Sequence, residues 1–395
     1  MSVTIKLLST LALGGSGVLF VKLKKMENEG KIPSIAAVFG ALPVIFRTAK
    51  YMFIQKKIKK NKYLIEENGK GDMMADDYRL ADYWTARKTD VICAVPMKSG
   101  TTWCQHMCQQ LRVNGDENVN YYQDLADVQP WIETRLTGFF GKDEDRPIPP
   151  DPAAGPGATD MNADHADSDI RVFKSHLPYS SFDGSDCKII YFYRHDVSAI
   201  YSLYRHVCNN IFECADQCTA HQFSTISLLF GVMDKHMTSL CDFWENRHDP
   251  RVAFFFYEDV IADHKGSVIR LAEIMGIEPK PELINKVVEQ STVEFMSSKE
   301  HHLRFDGFTN IAVQKRAHGM DYSYWPKVSG QKPQKEPPRL KVASNAEKKK
   351  RAPPVGKDEM MKCFEKAWNR IVLPRTGFAN YADMRAAWKK ELASK

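Results

Sequence analysis

A short β-rich run, DVICAV at 90–95, ends in PMKSGTTW at 96–103 and passes straight into an amphipathic stretch over 100–113. This succession of strand, small-residue turn and helix restricts the fold more than any other feature of the chain. Small residues let backbone N–H groups close around an oxyanion, the helix N-terminus adds a favourable dipole, and a lysine adds a point charge. Lys98, Ser99, Gly100, Thr101 and Thr102 therefore read as a phosphate cradle. The P-loop fingerprint GxxxxGK[ST] sets two glycines ahead of its lysine, whereas here Lys98 precedes Gly100 and no glycine opens the loop. A nucleotide kinase or NTPase stands as the alternative. A Ser/Thr helix cap accounts for Thr101 but not for Lys98 and Trp103 together.

From Asp72 onward, short β-rich runs alternate with longer helical periods, the pattern of a parallel α/β sheet. Strands are expected at 90–95, 170–174, 188–193 and 251–256. Helices are expected near 100–113, 196–208, 221–246, 260–275, 281–290, 358–371 and 380–392. The predicted fold is a three-layer α/β/α domain with a central parallel sheet and a P-loop-like phosphate-binding loop, its ligand at the C-terminal ends of the strands. Residues 141–169, rich in Pro, Gly and Asp, and 327–358, with five prolines and many lysines, read as loops.

The net charge of +6 is unevenly placed: residues 1–70 hold 13 Lys or Arg against 4 Asp or Glu, so the remainder is acidic. A nucleic-acid binder would spread basic residues over its folded part; here they flank two uncharged runs of 15 residues, 7–21 and 32–46. Spanning a bilayer takes roughly 20 residues, so residues 1–70 are expected to lie on a membrane surface. The remaining domain, 71–395, would then face the cytoplasm. A cleaved targeting peptide, leaving a cytoplasmic or organellar protein, and an arm packed on the domain itself are the competing readings. Nine scattered cysteines argue against a secreted disulfide framework. The group Cys208, Cys214, Cys218, His206 and His221 lacks a paired CxxC knuckle for zinc.

The KSGTTW loop at 98–103, KSHLP at 174–178, YRHDVSAIYS at 193–202 and FYED at 256–259 resemble the cytosolic-type sulfotransferase family. PWIE at 130–133, the spacing of Gly231 and His236 ahead of Phe243 and Trp244, and W-x₈-GFANYADMR at 368–385 extend the resemblance to about residues 75–385. It implies sulfonate transfer from 3′-phosphoadenosine 5′-phosphosulfate (PAPS) to a hydroxyl or amine of a small-molecule acceptor. No metal is expected, because Lys98, Lys174, Arg194 and helix dipoles already supply positive charge. By resemblance, Lys98 to Thr102 hold the 5′-phosphosulfate and Trp103 stacks on adenine. His176 is the general base, and Lys98 and Lys174 neutralise the moving group. Arg194 and Ser202 bind the 3′-phosphate, Tyr257 contacts the nucleoside, and Ser291 begins the adenine segment STVEFM.

Three departures stand out. Met97 separates Pro96 from Lys98, Val293 stands where an aromatic is usual, and the family's C-terminal RKGxxGDWK is absent, with Lys327 and Gly330 of KVSG its candidate replacement. A membrane-bound scaffold without activity is a further alternative, but Lys98, Lys174 and His176 together argue against it. The acceptor pocket is expected around Trp131, residues 141–169 and His301.

Overall fold

Four parallel strands carry the molecule: β1 (Val91–Ala94), β2 (Val172–Ser175), β3 (Lys188–Tyr193) and β4 (Val252–Phe256), in the spatial order β2-β1-β3-β4. The computed structural model describes residues 16–44, 84–116, 125–130, 132, 164, 168–206, 218–298, 301, 305 and 356–394. Lys327, Gly330, Trp131, Cys208, Cys214 and nearly all of the 141–169 and 327–358 stretches lie outside them.

Every strand residue except Lys174 and Lys188 is buried, as expected for a sheet covered on both faces. Alternation along the strands sorts them into two cores. Ile92, Phe173, Ile189, Tyr191, Tyr193, Phe254 and Phe256 face one side. There they meet α4 (Asp196–His206), α6 (Val232–Glu245), α10 (Lys357–Thr376) and α11 (Tyr381–Ala393), which contribute Val197, Leu240, Trp244, Trp368 and Trp388. Val91, Cys93, Val172, Ile190, Phe192, Ala253 and Phe255 face the other side. They pack on α3 (Thr101–Arg112), α8 (His264–Met275) and α9 (Pro281–Gln290) through Met107, Leu111, Leu271 and Val287. The result is the three-layer arrangement expected from the sequence.

Two expected helices are divided. The 221–246 stretch becomes α5 (Ala220–Leu229) and α6, separated at Gly231, whose φ of 71° is left-handed backbone that ends one helix and starts the next. A short α7 (Tyr257–Ala262) precedes α8, and Asp263 breaks between them while its side chain caps the N–H of Gly266.

Residues 16–44 form α1 (Ser16–Asn28) and α2 (35–44), and they are docked on the domain. Leu19, Leu23, Ile32 and Val38 make a small core that reaches Leu229 of α5. Lys366 donates to the Glu27 carbonyl at 2.9 Å and Gln222 to the Gly40 carbonyl at 2.8 Å. A Cβ at Gly30 would sit 2.7 Å from the Lys366 Cβ, so only glycine permits this approach of the arm to α10. Among the described residues, no helix is long and apolar enough to cross a membrane.

Candidate active site

Chain order and spatial order part company at β1: β2 lies on one side of it, β3 and β4 on the other. Open α/β sheets bind ligands at such a reversal, because the loops leaving the two central strands diverge and open a crevice. The 95–100 loop leaves β1 here and Arg194 follows β3, while His176 follows β2 on the opposite flank.

The loop has the features of an anion cradle. Lys98 and Gly100 hold φ values of 64° and 104°, turning the backbone sharply into α3. Gly100 is the N-cap and gives no side-chain cap, so the first-turn amides of α3 have no side-chain acceptor at that position. The Ser99 hydroxyl is fully buried with no hydrogen-bond partner among the described residues, a costly state that an oxyanion would relieve. A Cβ on Gly100 would fall 2.8 Å from the Tyr257 ring, so the cradle leaves no room for a larger residue. Arg194 donates to the Lys98 carbonyl at 3.1 Å, and its guanidinium carbon lies 4.8 Å from the centre of the Tyr257 ring. One charged side chain thus joins the loop after β1, the end of β3 and the start of α7.

Trp103 lies in the first turn of α3. Its indole N–H donates to the Ser291 carbonyl at 2.8 Å, and its ring is 5.8 Å from Tyr257 and 5.0 Å from His264. Ser291 Oγ is 2.9 Å from His264 Nε2. The structure therefore joins the 98–101 loop to Arg194, Tyr257, Trp103 and Ser291 through one chain of contacts. Thr102 is half-buried in the first turn of α3, and Ser202 is half-buried on α4, six residues after Asp196.

His176 is buried, with Nδ1 2.5 Å from the Val95 carbonyl oxygen. A carbonyl can only accept, so Nδ1 carries the proton and the lone pair of the neutral ring lies on Nε2. Burial, and then the charge of Lys174, hold the imidazole well below its ordinary value; the Val95 bond opposes this, and His236 and Lys98 add smaller downward effects. The ring is neutral and lies beside two cations, Lys174 and Lys98.

The acids of FYED are engaged elsewhere. Glu258 accepts from the Tyr381 hydroxyl at 2.5 Å and from the His195 amide at 3.3 Å, and Asp259 pairs with Arg385 and, at 2.9 Å, with Lys389. They tie α7 to α11. His301 stacks on Phe295 with ring centres 4.0 Å apart.

Sequence reasoning missed His264, which no motif marks. It also gave His236 no role. Asp196 accepts from His236 Nδ1 at 3.0 Å and from the Tyr193 hydroxyl at 2.5 Å, a buried network tying β3 and α4 to α6. Aspartate two residues after the strand-end arginine was its only signal.

A family model described as "Sulfotransferase domain" matches residues 88–319. Sulfotransferase 1E1 of Homo sapiens is 27% identical over 245 residues, covering 58% of this chain and 74% of that protein. Sulfotransferase 1 family member D1 of Mus musculus is 25% identical over 232 residues, covering 55% and 72%. Among solved structures, a retinol dehydratase in complex with retinol and PAP shares 20% identity at a TM-score of 0.49, over 75% of this chain and 84% of that one. The matched region takes in the phosphate loop, His176, Arg194 and Tyr257 and spans more than half of the 395 residues: the chain belongs to the sulfotransferase domain family.

Proposed function

We propose that this sulfotransferase moves a sulfonate group from PAPS to a hydroxyl or amine of a small-molecule acceptor, with His176 as general base. The observation that carries the reading is the His176–Val95 hydrogen bond, which makes Nδ1 the protonated nitrogen and leaves the basic lone pair of the neutral ring on Nε2. PAPS would supply the sulfonate on a good leaving group. Lys98, Ser99, Gly100, Thr101 and Thr102 hold its 5′ end, Arg194 and Ser202 its 3′-phosphate, and Trp103, Tyr257 and Ser291 the adenosine. His176 takes the acceptor proton as the oxygen or nitrogen attacks, and Lys98 and Lys174 stabilise negative charge on the group in transit.

The test is transfer from radiolabelled PAPS to phenols, aliphatic alcohols, amines and sugars. Labelled product unaffected by EDTA, and lost in His176→Ala, is the expected result. An EDTA-sensitive reaction with ATP and Mg²⁺ would favour the kinase alternative, and no transfer to any acceptor would favour a scaffold.

A second reading concerns location. Docking leaves Phe20 and Val21 57% and 70% exposed beside Lys22, Lys24 and Lys25, with Phe39 exposed on α2. Apolar side chains interleaved with lysines suit an anionic lipid surface, and we propose that α1 and α2 rest on one, with the catalytic domain on the cytoplasmic side. Full-length protein should sediment with anionic but not zwitterionic vesicles, and Phe20→Asp with Phe39→Asp should release it. Equal sedimentation of the double variant would overturn this.

A further inference from the structure

Cys93, Cys104 and Cys108 bring their three Sγ atoms within 4.8 Å of one another, deep in the core on the α3 side of the sheet. Cys93 comes from β1, while Cys104 and Cys108 lie one turn apart on α3 and so share a helix face. All three are 0% exposed, and Cys93 Sγ is 3.9 Å from Cys108 Sγ. None of them takes part in the transfer chemistry. Free cysteines are among the most buried residues and pack as small hydrophobes, so burial alone means little. Convergence of three sulfurs on one point means more. A metal bonded to three thiolates in a plane at about 2.3 Å separates its sulfurs by about 4.0 Å. The observed spacings need to contract by less than about 1 Å to match, within the reach of side-chain rotation.

We propose that Cys93, Cys104 and Cys108 form a three-sulfur site for a soft, low-coordinate cation, monovalent copper being the best fit. Among the described residues no histidine, carboxylate or further cysteine joins the group. Structural zinc takes four ligands, whereas thiolate-only sites of lower coordination suit monovalent copper. Val91, Leu111, Val172 and Ile190, all fully buried, belong to the same apolar core and keep water away from the site. Binding replaces S–H bonds with copper–sulfur bonds and releases the protons to solvent; no electron is transferred. β1 and α3 are the elements on either side of the phosphate loop, so a bound cation would clamp the strand that enters the loop to the helix that leaves it.

Because the sulfurs are buried, the full chain is refolded anaerobically with copper(I) and then challenged with a competing copper(I) chelator. About one copper ion per chain is expected to resist the chelator, with a raised Tm and an X-ray absorption spectrum showing a sulfur-only first shell. Cys104→Val, which keeps the apolar packing, should lose the copper, whereas Cys187→Ser and Cys241→Ser, outside the cluster, should keep it. The absorption spectrum decides even if Cys104→Val misfolds: oxygen or nitrogen neighbours would overturn the proposal. So would failure of the wild type to retain copper, retention by Cys104→Val equal to wild type, or displacement of the copper by zinc.

Discussion

The His176 ring is held by the main-chain oxygen of Val95, the residue that follows β1 and opens the phosphate loop. One backbone atom therefore ties the imidazole on the β2 flank to the loop that leaves β1. Loss of the ring, as in His176→Ala, should lower turnover by about 10²- to 10⁴-fold, the range for a general base. Binding of the desulfonated nucleotide should stay near wild type.

The same environment sets the pH dependence. Burial and Lys174 hold the imidazole well below 6.5, so the ring stays neutral as pH falls and, with His176 as the proposed base, the acid limb of kcat/KM should lie below 6.5. Lys174→Met removes a positive neighbour and should move that limb upward, whatever it does to the maximal rate. For stability the sign also follows from the lowered value. Below pH 6.5 the unfolded chain takes a proton on this ring that the folded protein refuses, so the contribution is intact above 6.5 and is lost as pH falls toward the folded value. Thermal melts of His176→Gln should show a smaller acid-side loss than wild type.

Arg194 donates to the Lys98 carbonyl, and the proposed function gives it the 3′-phosphate as well. Arg194→Ala should weaken binding of 3′,5′-diphosphoadenosine by about 2–4 kcal/mol, the loss of a charge-assisted phosphate pair. Binding of 5′-AMP should weaken by no more than about 1 kcal/mol, the worth of the remaining loop contact. Equal losses for both ligands in calorimetry would make the residue purely structural.

At Gly100 the left-handed φ and the Tyr257 ring act together against any side chain. Gly100→Ala should destabilise the fold by about 1–3 kcal/mol from backbone strain, and nucleotide binding should fall further because Tyr257 must move. Denaturant melts and calorimetry separate the two effects.

Asp90 and Arg171 form a fully buried pair, with Nε to Oδ1 at 2.7 Å and Nη2 to Oδ2 at 2.5 Å, just ahead of β1 and β2. Removing one partner strands the other charge without water. Asp90→Ala should therefore cost about 3–5 kcal/mol in chemical denaturation, with little dependence on salt.

Much was legible along the chain because it is encoded between neighbours. The strands, the small-residue turn at Lys98–Thr102 and the helix after it are written in local periodicity and residue size, and Arg194 follows its strand in the same way. The division of the 221–246 helix was not legible, since Gly231 carries no sign of the hand its backbone adopts. What only the tertiary structure decided are meetings between distant segments. The order β2-β1-β3-β4 brings Arg194 to Lys98, the closure of α8 and α9 over α3 brings His264 and Ser291 to Trp103, and the packing of α3 on β1 collects three sulfurs. The docking of α1 and α2 on α5 and α10 belongs here too, because a 15-residue apolar run suits a membrane surface and a protein face alike. Burial of both sheet faces at once makes these choices, and it is a property of the assembled layers that no single stretch of sequence contains.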